Sequence, residues 1–162
     1  MIPIYKSMFN TANGLNKGFH LLVSNFSQDG DYIPPSVLCS TFCLELLLKC
    51  LQVINEDTAY TKDDLKKKGI IIDAHKYTDI FDKIDNTLKH KVVEQYNRMY
   101  NSDISENNYR NMLIDVGDNN FIEWRYVYEK NEDKVLNIPL QTKLIDSLGE
   151  TISIILRQKE HE

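Results

Sequence analysis

Residues 36–55, SVLCSTFCLELLLKCLQVIN, constrain the chain more than any other stretch, because they are apolar on nearly every side of a helix and carry only two charges, Glu45 and Lys49. A helix that is apolar all round is stable only when other elements surround it. The run, roughly 35 to 55, is therefore expected to be the central and most buried element, opened by Pro34 and Pro35, which preset the backbone of a first helical turn. Glu45 and Lys49 stand at i, i+4 in the favourable order, glutamate first. They are charges where the interior should be dry, and a buried unpaired charge costs several kcal/mol.

The remaining sequence supplies helices to do the wrapping. Met8, Ala12, Leu15, Phe19, Leu22 and Phe26 step by four and three, which keeps one face of a long N-terminal helix apolar to an end near Asp29 and Gly30. Thr61 followed by Asp64 predicts a capped short helix that closes at Gly69 after Lys66, Lys67 and Lys68, a solvated end. Ile70 to Ile72 have strand composition but no partner strand, so they are expected to pack as a connector. Tyr77, Ile80, Phe81 and Ile84 mark a further short helix. Leu88, Val92, Tyr96 and Met99 mark the next, with Asn86 and Thr87 as the turn and cap between them. Tyr109, Met112, Leu113 and Val116 repeat the pattern up to Gly117, and Asn120 with Glu123 predicts a cap for a helix holding FIEWRYVYE. The last helix has Pro139 in its first turn and a stripe of Leu140, Leu144, Leu148, Ile152 and Ile155; its Gly149 predicts a close helix crossing. No repeat, linker or low-complexity tract interrupts residues 1–162, so the expectation is one all-α domain, a helical bundle of about five to seven helices. A chain of 162 residues with 42% hydrophobic content can bury about 70% of its unfolded surface without staples.

Composition narrows the function. The net charge is -5, and only 4 of the 19 basic residues are arginine, which disfavours broad capture of a nucleic-acid backbone; RNA is a possible partner but not the favoured one. Cys39, Cys43 and Cys50 are an odd, local set, expected as buried thiols rather than a disulfide framework. They have no histidines at zinc spacing, so no metal and no cofactor is expected. The start, MIPIYKSMFNTANG, lacks the plan of a signal peptide, and no apolar run approaches the roughly 20 residues of a membrane span, which together predict a cytoplasmic chain with no membrane contact.

A second constellation lies in the FIEWRYVYE helix. Phe121, Trp124 and Tyr128 share one face there, and Arg125 and Glu129 lie a turn apart on another. Two charge pairs on two apolar helices call for each other: the economical arrangement is a buried network in which Glu45 meets Arg125 and Lys49 meets Glu129.

The run LCSTFCLELLLKCL, then AHKYTDIFDKI, then FIEWRYVYE, in this order, resembles the bacterial HEPN superfamily over about residues 8 to 158. The resemblance implies a small all-α bundle with a glutamate-plus-lysine central helix, a histidine opening the next helix, and an aromatic-Arg-Tyr helix before the last. It also implies homodimers, and roles in RNA cleavage within toxin-antitoxin, abortive-infection and CRISPR-linked defence, or in accompanying a nucleotidyltransferase.

The chain departs from the cleaving members of that family, which pair an Arg and a His with four to six residues between them. The windows after Arg98, Arg110 and Arg125 hold no His, and Arg157 and His161 are separated by three residues at a chain end. Cleavage without metal needs a group to activate the 2'-hydroxyl and a cation to stabilise the phosphorane. The expectation is therefore a non-catalytic or catalytically degenerate binding protein of a defence, toxin-antitoxin or mobile-element system, working as a homodimer, with a nucleotidyltransferase as a candidate partner. The enzymatic alternative is a divergent endoribonuclease using Arg125, Tyr126 and His75, and a third is a regulator that binds a protein partner. His75 is otherwise expected to cap or start a helix and to hydrogen-bond a neighbouring carboxylate or backbone carbonyl, His20 to be a half-buried packing residue, and His90 a residue of a solvated face shared with Lys89 and Lys91.

Overall fold

The computed structural model describes residues 1–25, 32–118 and 137–161. Among these residues there are seven helices and no strand, an all-α bundle as the periodicity predicts: α1 (Ile4–Val23), α2 (Ile33–Gln52), α3 (Lys62–Lys67), α4 (Tyr77–Asp82), α5 (Asn86–Tyr100), α6 (Glu106–Asp115) and α7 (Ile138–Lys159).

α2 is the axis of the fold. α1 lies along it, α7 and α4 pack on its other sides, α5 lies against α7, and α6 completes the layer against α4 and α5. Leu44, Leu47, Leu48 and Leu51 are wholly or almost wholly buried, and each such side chain contributes on the order of 1.5–3 kcal/mol through removal from water. α2 is also, by length and composition, long and apolar enough to cross a membrane, contrary to the sequence expectation; most of it is buried inside the bundle, and a core helix enclosed by others passes the same test.

Small residues meet across the seam between α1 and α2, where a Cβ built on Gly18 would lie 3.7 Å from Cys39 Sγ. The thiols of Cys43 and Cys50 donate to the α1 carbonyls of Ala12 and Tyr5, each at 3.3 Å. Burial pushes both thiols up to about 12, so they remain protonated donors. All three cysteines are free, with Cys39 only half-buried.

Caps decide most boundaries. Thr61 and Asp64 form the reciprocal capping box of α3, and Gly69, at φ +76°, turns the chain out of it. The cap of α5 is Asp85, whose carboxylate accepts from Thr87 N, in place of the Asn86–Thr87 pair. Ser105 and Asn108 form a second capping box on α6. The connector expected at 70–72 is confirmed, since Ile72 is buried and Ile70 packs on the core while Ile71 faces out.

Other expectations are corrected. α1 ends at Val23, with Ser24 and Asn25 folding their side chains back onto Leu21 O. Gly149 marks no close crossing: a Cβ built on it meets nothing within 4 Å. His20 is exposed rather than half-buried. Lys89 is only 8% exposed, because its ammonium sits over the Phe81 ring, 5.7 Å from the centroid, and reaches Asn86 and Glu106, whereas His90 and Lys91 do face solvent.

Candidate functional site

The two charges of α2 meet each other first. Lys49 Nζ donates to Glu45 Oε1 at 2.7 Å, with Glu45 1% and Lys49 8% exposed. One helical turn is the shortest route to a partner, and the glutamate-first i, i+4 order makes the contact easy to form. A third group joins them: His75 Nδ1 lies 3.1 Å from the same Glu45 Oε1. A carboxylate oxygen only accepts, which makes Nδ1 the protonated ring nitrogen of His75. The other oxygen, Glu45 Oε2, is buried and has no hydrogen-bond partner among the described residues.

His75 is delivered to this point by the loop after α3 and by the start of α4. Gly69 reverses the chain, Lys62 pairs with Asp73, and Ile72 anchors the connector in the core. α4 then needs a cap, and its own flanking residue, Lys76, supplies no side-chain bond. The cap comes from 40 residues away. Asp118 accepts from Thr78 N at 2.7 Å and from Thr78 Oγ1 at 2.6 Å, while its carbonyl accepts from Tyr77 N at 3.0 Å. A carboxylate at this place serves the first-turn N–H groups and the positive end of the helix together.

Tyr77 completes the docking of α4. Its hydroxyl donates to Thr41 O at 3.1 Å, one turn before Glu45 on α2, so His75 and Tyr77 grip α2 at successive turns. Burial, together with the negative charges of Glu45 and Asp118, holds the Tyr77 phenol well above its ordinary value and keeps it a donor.

Chemically, a buried carboxylate that orients an imidazole can serve a general base or can simply pin a loop. A cleaving site also needs a cation near the phosphorane, and the described arginines are each bonded to a neighbouring side chain. Arg110 grips Asp82 through Nε and a terminal nitrogen, both at 2.8 Å. Arg157 bonds Glu150 at 3.1 Å, and Arg98 bonds Gln95. Among the described residues no group of three or more His, Cys, Asp or Glu is arranged to hold a metal ion.

Of the sequence-predicted residues, the structure brings Glu45, Lys49 and His75 together. Arg125, Tyr126 and Glu129 lie outside the described residues, and so do the pairings expected of them. The sequence reading gives His75 a carboxylate or carbonyl partner without saying which, and the structure makes it Glu45, 30 residues away; the Asp118 cap, across 40 residues, was missed. The only available signal was the absence of any capping side chain at Lys76. Comparison with protein-family models, with curated proteins and with solved structures finds no match for the chain.

Proposed function

We propose that the chain is a HEPN-like domain that works by binding rather than by cleaving, in a bacterial or phage defence, toxin-antitoxin or mobile-element setting. The observation that carries this reading is where the described cations point. Arg98, Arg110 and Arg157 are turned onto Gln95, Asp82 and Glu150, and Lys49 onto Glu45. The Arg110 contact ties α6 to α4 and the other three run along their own helices, so each of these cations already has a side-chain partner inside the fold. The absence of an Arg and a His with four to six residues between them supports the same reading. In this reading the chain acts in the cytoplasm as a homodimer, where its three free thiols stay reduced, and a nucleotidyltransferase is a candidate partner.

The Glu45–His75 contact is the one observation that favours the enzymatic alternative, a divergent ribonuclease in which His75 acts with Arg125 and Tyr126. Incubation with total RNA in the presence of a chelator separates the two. The binding reading expects no cleavage above a protein-free control. Cleavage by the wild type that disappears in both His75→Ala and Arg125→Ala would overturn it in favour of the enzyme. Sedimentation equilibrium at micromolar concentration is expected to give about twice the monomer mass of 18.9 kDa.

A further inference from the structure

The packing of α5 against α7 leaves a cleft of about 520 Å³, within the range of roughly 300–1,000 Å³ usual for small-molecule sites. It involves none of the residues of the Glu45 cluster. Its apolar wall is Ile154 and Ile155 of α7, and its polar side is a stripe of α5 that includes Lys91, Glu94, Gln95 and Arg98.

The hydrogen-bonding state of that stripe is lopsided. Lys91 is exposed and has no hydrogen bond or ion pair among the described residues. Arg98 gives one terminal nitrogen to Gln95 Oε1, which leaves its other N–H donors uncommitted. Gln95 is only 8% exposed, its oxygen is taken by Arg98, and its amide nitrogen has no acceptor among the described residues. Of the acceptors, the Asn97 oxygen takes Ser102 and Ile104 N, while Glu94 lies 3.4 Å from His90 Nε2 with its carboxylate largely in solvent. Uncommitted donors of Lys91, Gln95 and Arg98 therefore line the same cleft as the apolar wall. Such a surface is complementary to an acceptor-rich head on an apolar body. Two cations against the single carboxylate of Glu94 leave one net positive charge, which matches a monoanion better than a dianion such as a phosphate monoester.

We propose that the α5–α7 cleft binds a small amphipathic carboxylate, its head held by Lys91, Arg98 and the Gln95 amide and its body laid on Ile154 and Ile155. Calorimetric titration of the full chain tests this with three probes: octanoate, acetate as the head alone, and octan-1-ol as the body alone. Octanoate is expected to bind one-to-one, with acetate and octanol each at least about tenfold weaker, since each lacks one half of the interaction. The double variant Lys91→Ala/Arg98→Ala should weaken octanoate by roughly tenfold or more and, because both residues are exposed, should keep the wild-type circular dichroism. Ile154→Asp, which sets a carboxylate in the wall, should abolish binding, whereas Lys66→Ala on α3 should leave it unchanged. The proposal is overturned by the absence of saturable octanoate binding at millimolar concentration. Binding that the double variant leaves intact, or acetate binding as tight as octanoate, overturns it equally.

Discussion

The buried pair on α2 makes an unusual demand of a mutagenesis experiment, because removing half of it should be far worse than removing all of it. At 2.7 Å the Lys49–Glu45 attraction is about 6 kcal/mol at an effective dielectric constant of about 20. Against it stands a desolvation penalty of several kcal/mol for each ion, so the net contribution is small. Lys49→Met keeps the stem and deletes the charge, leaving Glu45, 1% exposed, with His75 as its one remaining charge-bearing neighbour among the described residues. The expected loss is about 3–5 kcal/mol, a large part of the roughly 5–15 kcal/mol that holds a domain together. With a urea m-value near 2 kcal/mol/M, the midpoint should fall by about 1.5–2.5 M. Glu45→Leu combined with Lys49→Met removes both charges at similar volume, and His75, whose side chain is 46% exposed, can turn to water. The double variant should therefore lie within about 2 kcal/mol of the wild type or above it. If Lys49→Met shifts the midpoint by less than about 0.5 M, or if the double variant is as damaged as the single one, the pair is not desolvated and the reasoning fails.

Three further outcomes follow from local geometry. Gly149→Ala should raise stability by about 1 kcal/mol, read as a higher melting temperature, because the new methyl meets nothing within 4 Å and helix propensity improves. Asp118→Ala should cost about 0.5–2 kcal/mol in denaturant titration by uncapping α4, and Asp118→Asn, which still accepts from Thr78 N, should cost less. The Arg110 guanidinium beside Asp82 holds that carboxyl below its ordinary range, and hydrogen bonds from Tyr5 and Lys159 do the same for Asp57. A lowered folded-state value means that the unfolded chain takes up the proton first, so their contribution is complete above about pH 4 and is lost as pH falls through the folded values. Asp82→Asn should flatten that acid limb in melting temperatures recorded between pH 2 and pH 5.

What could be seen in the sequence was whatever lies within one helical turn. Thr61 with Asp64 is an i, i+3 pattern whose two hydrogen bonds need only each other, and the structure has both. The α2 run declared its own burial, since no arrangement of so many leucines and cysteines could face water. Errors of one residue, such as Asn86 for Asp85 as the α5 cap, arise because several adjacent polar side chains could serve and only the backbone angles choose between them. Lys89 was misread for a different reason: beside His90 and Lys91 it has the look of a solvated face, but its ammonium sits over the Phe81 ring, and that ring is placed by tertiary packing. Which carboxylate His75 would meet, and the Thr78–Asp118 contact, were out of reach altogether. Helical periodicity says which face of a helix is dry and nothing about which distant residue arrives there.

The same limit explains what the charges on α2 accomplish. A helix apolar on all sides offers its neighbours many near-equivalent seats, since turning it by one residue exchanges one leucine for another at little cost. Glu45 breaks that degeneracy because only one rotation brings its carboxylate to His75 while Thr41 O meets the Tyr77 hydroxyl one turn earlier. Asp118 then holds the start of α4 so that both contacts are made together. On this argument the network selects a register rather than adding stability, the role in which buried polar groups are best attested. The doubly apolar variant Glu45→Leu/Lys49→Met supplies the discriminating observation beyond its denaturation midpoint. It should keep the far-ultraviolet signal of a helical bundle while the near-ultraviolet signal of its buried tyrosines weakens and its amide spectrum broadens, as α4 samples more than one seat on α2. A double variant with sharp, single-state spectra and wild-type stability would mean that packing alone seats α4, and that the charges answer to some other requirement than the fold.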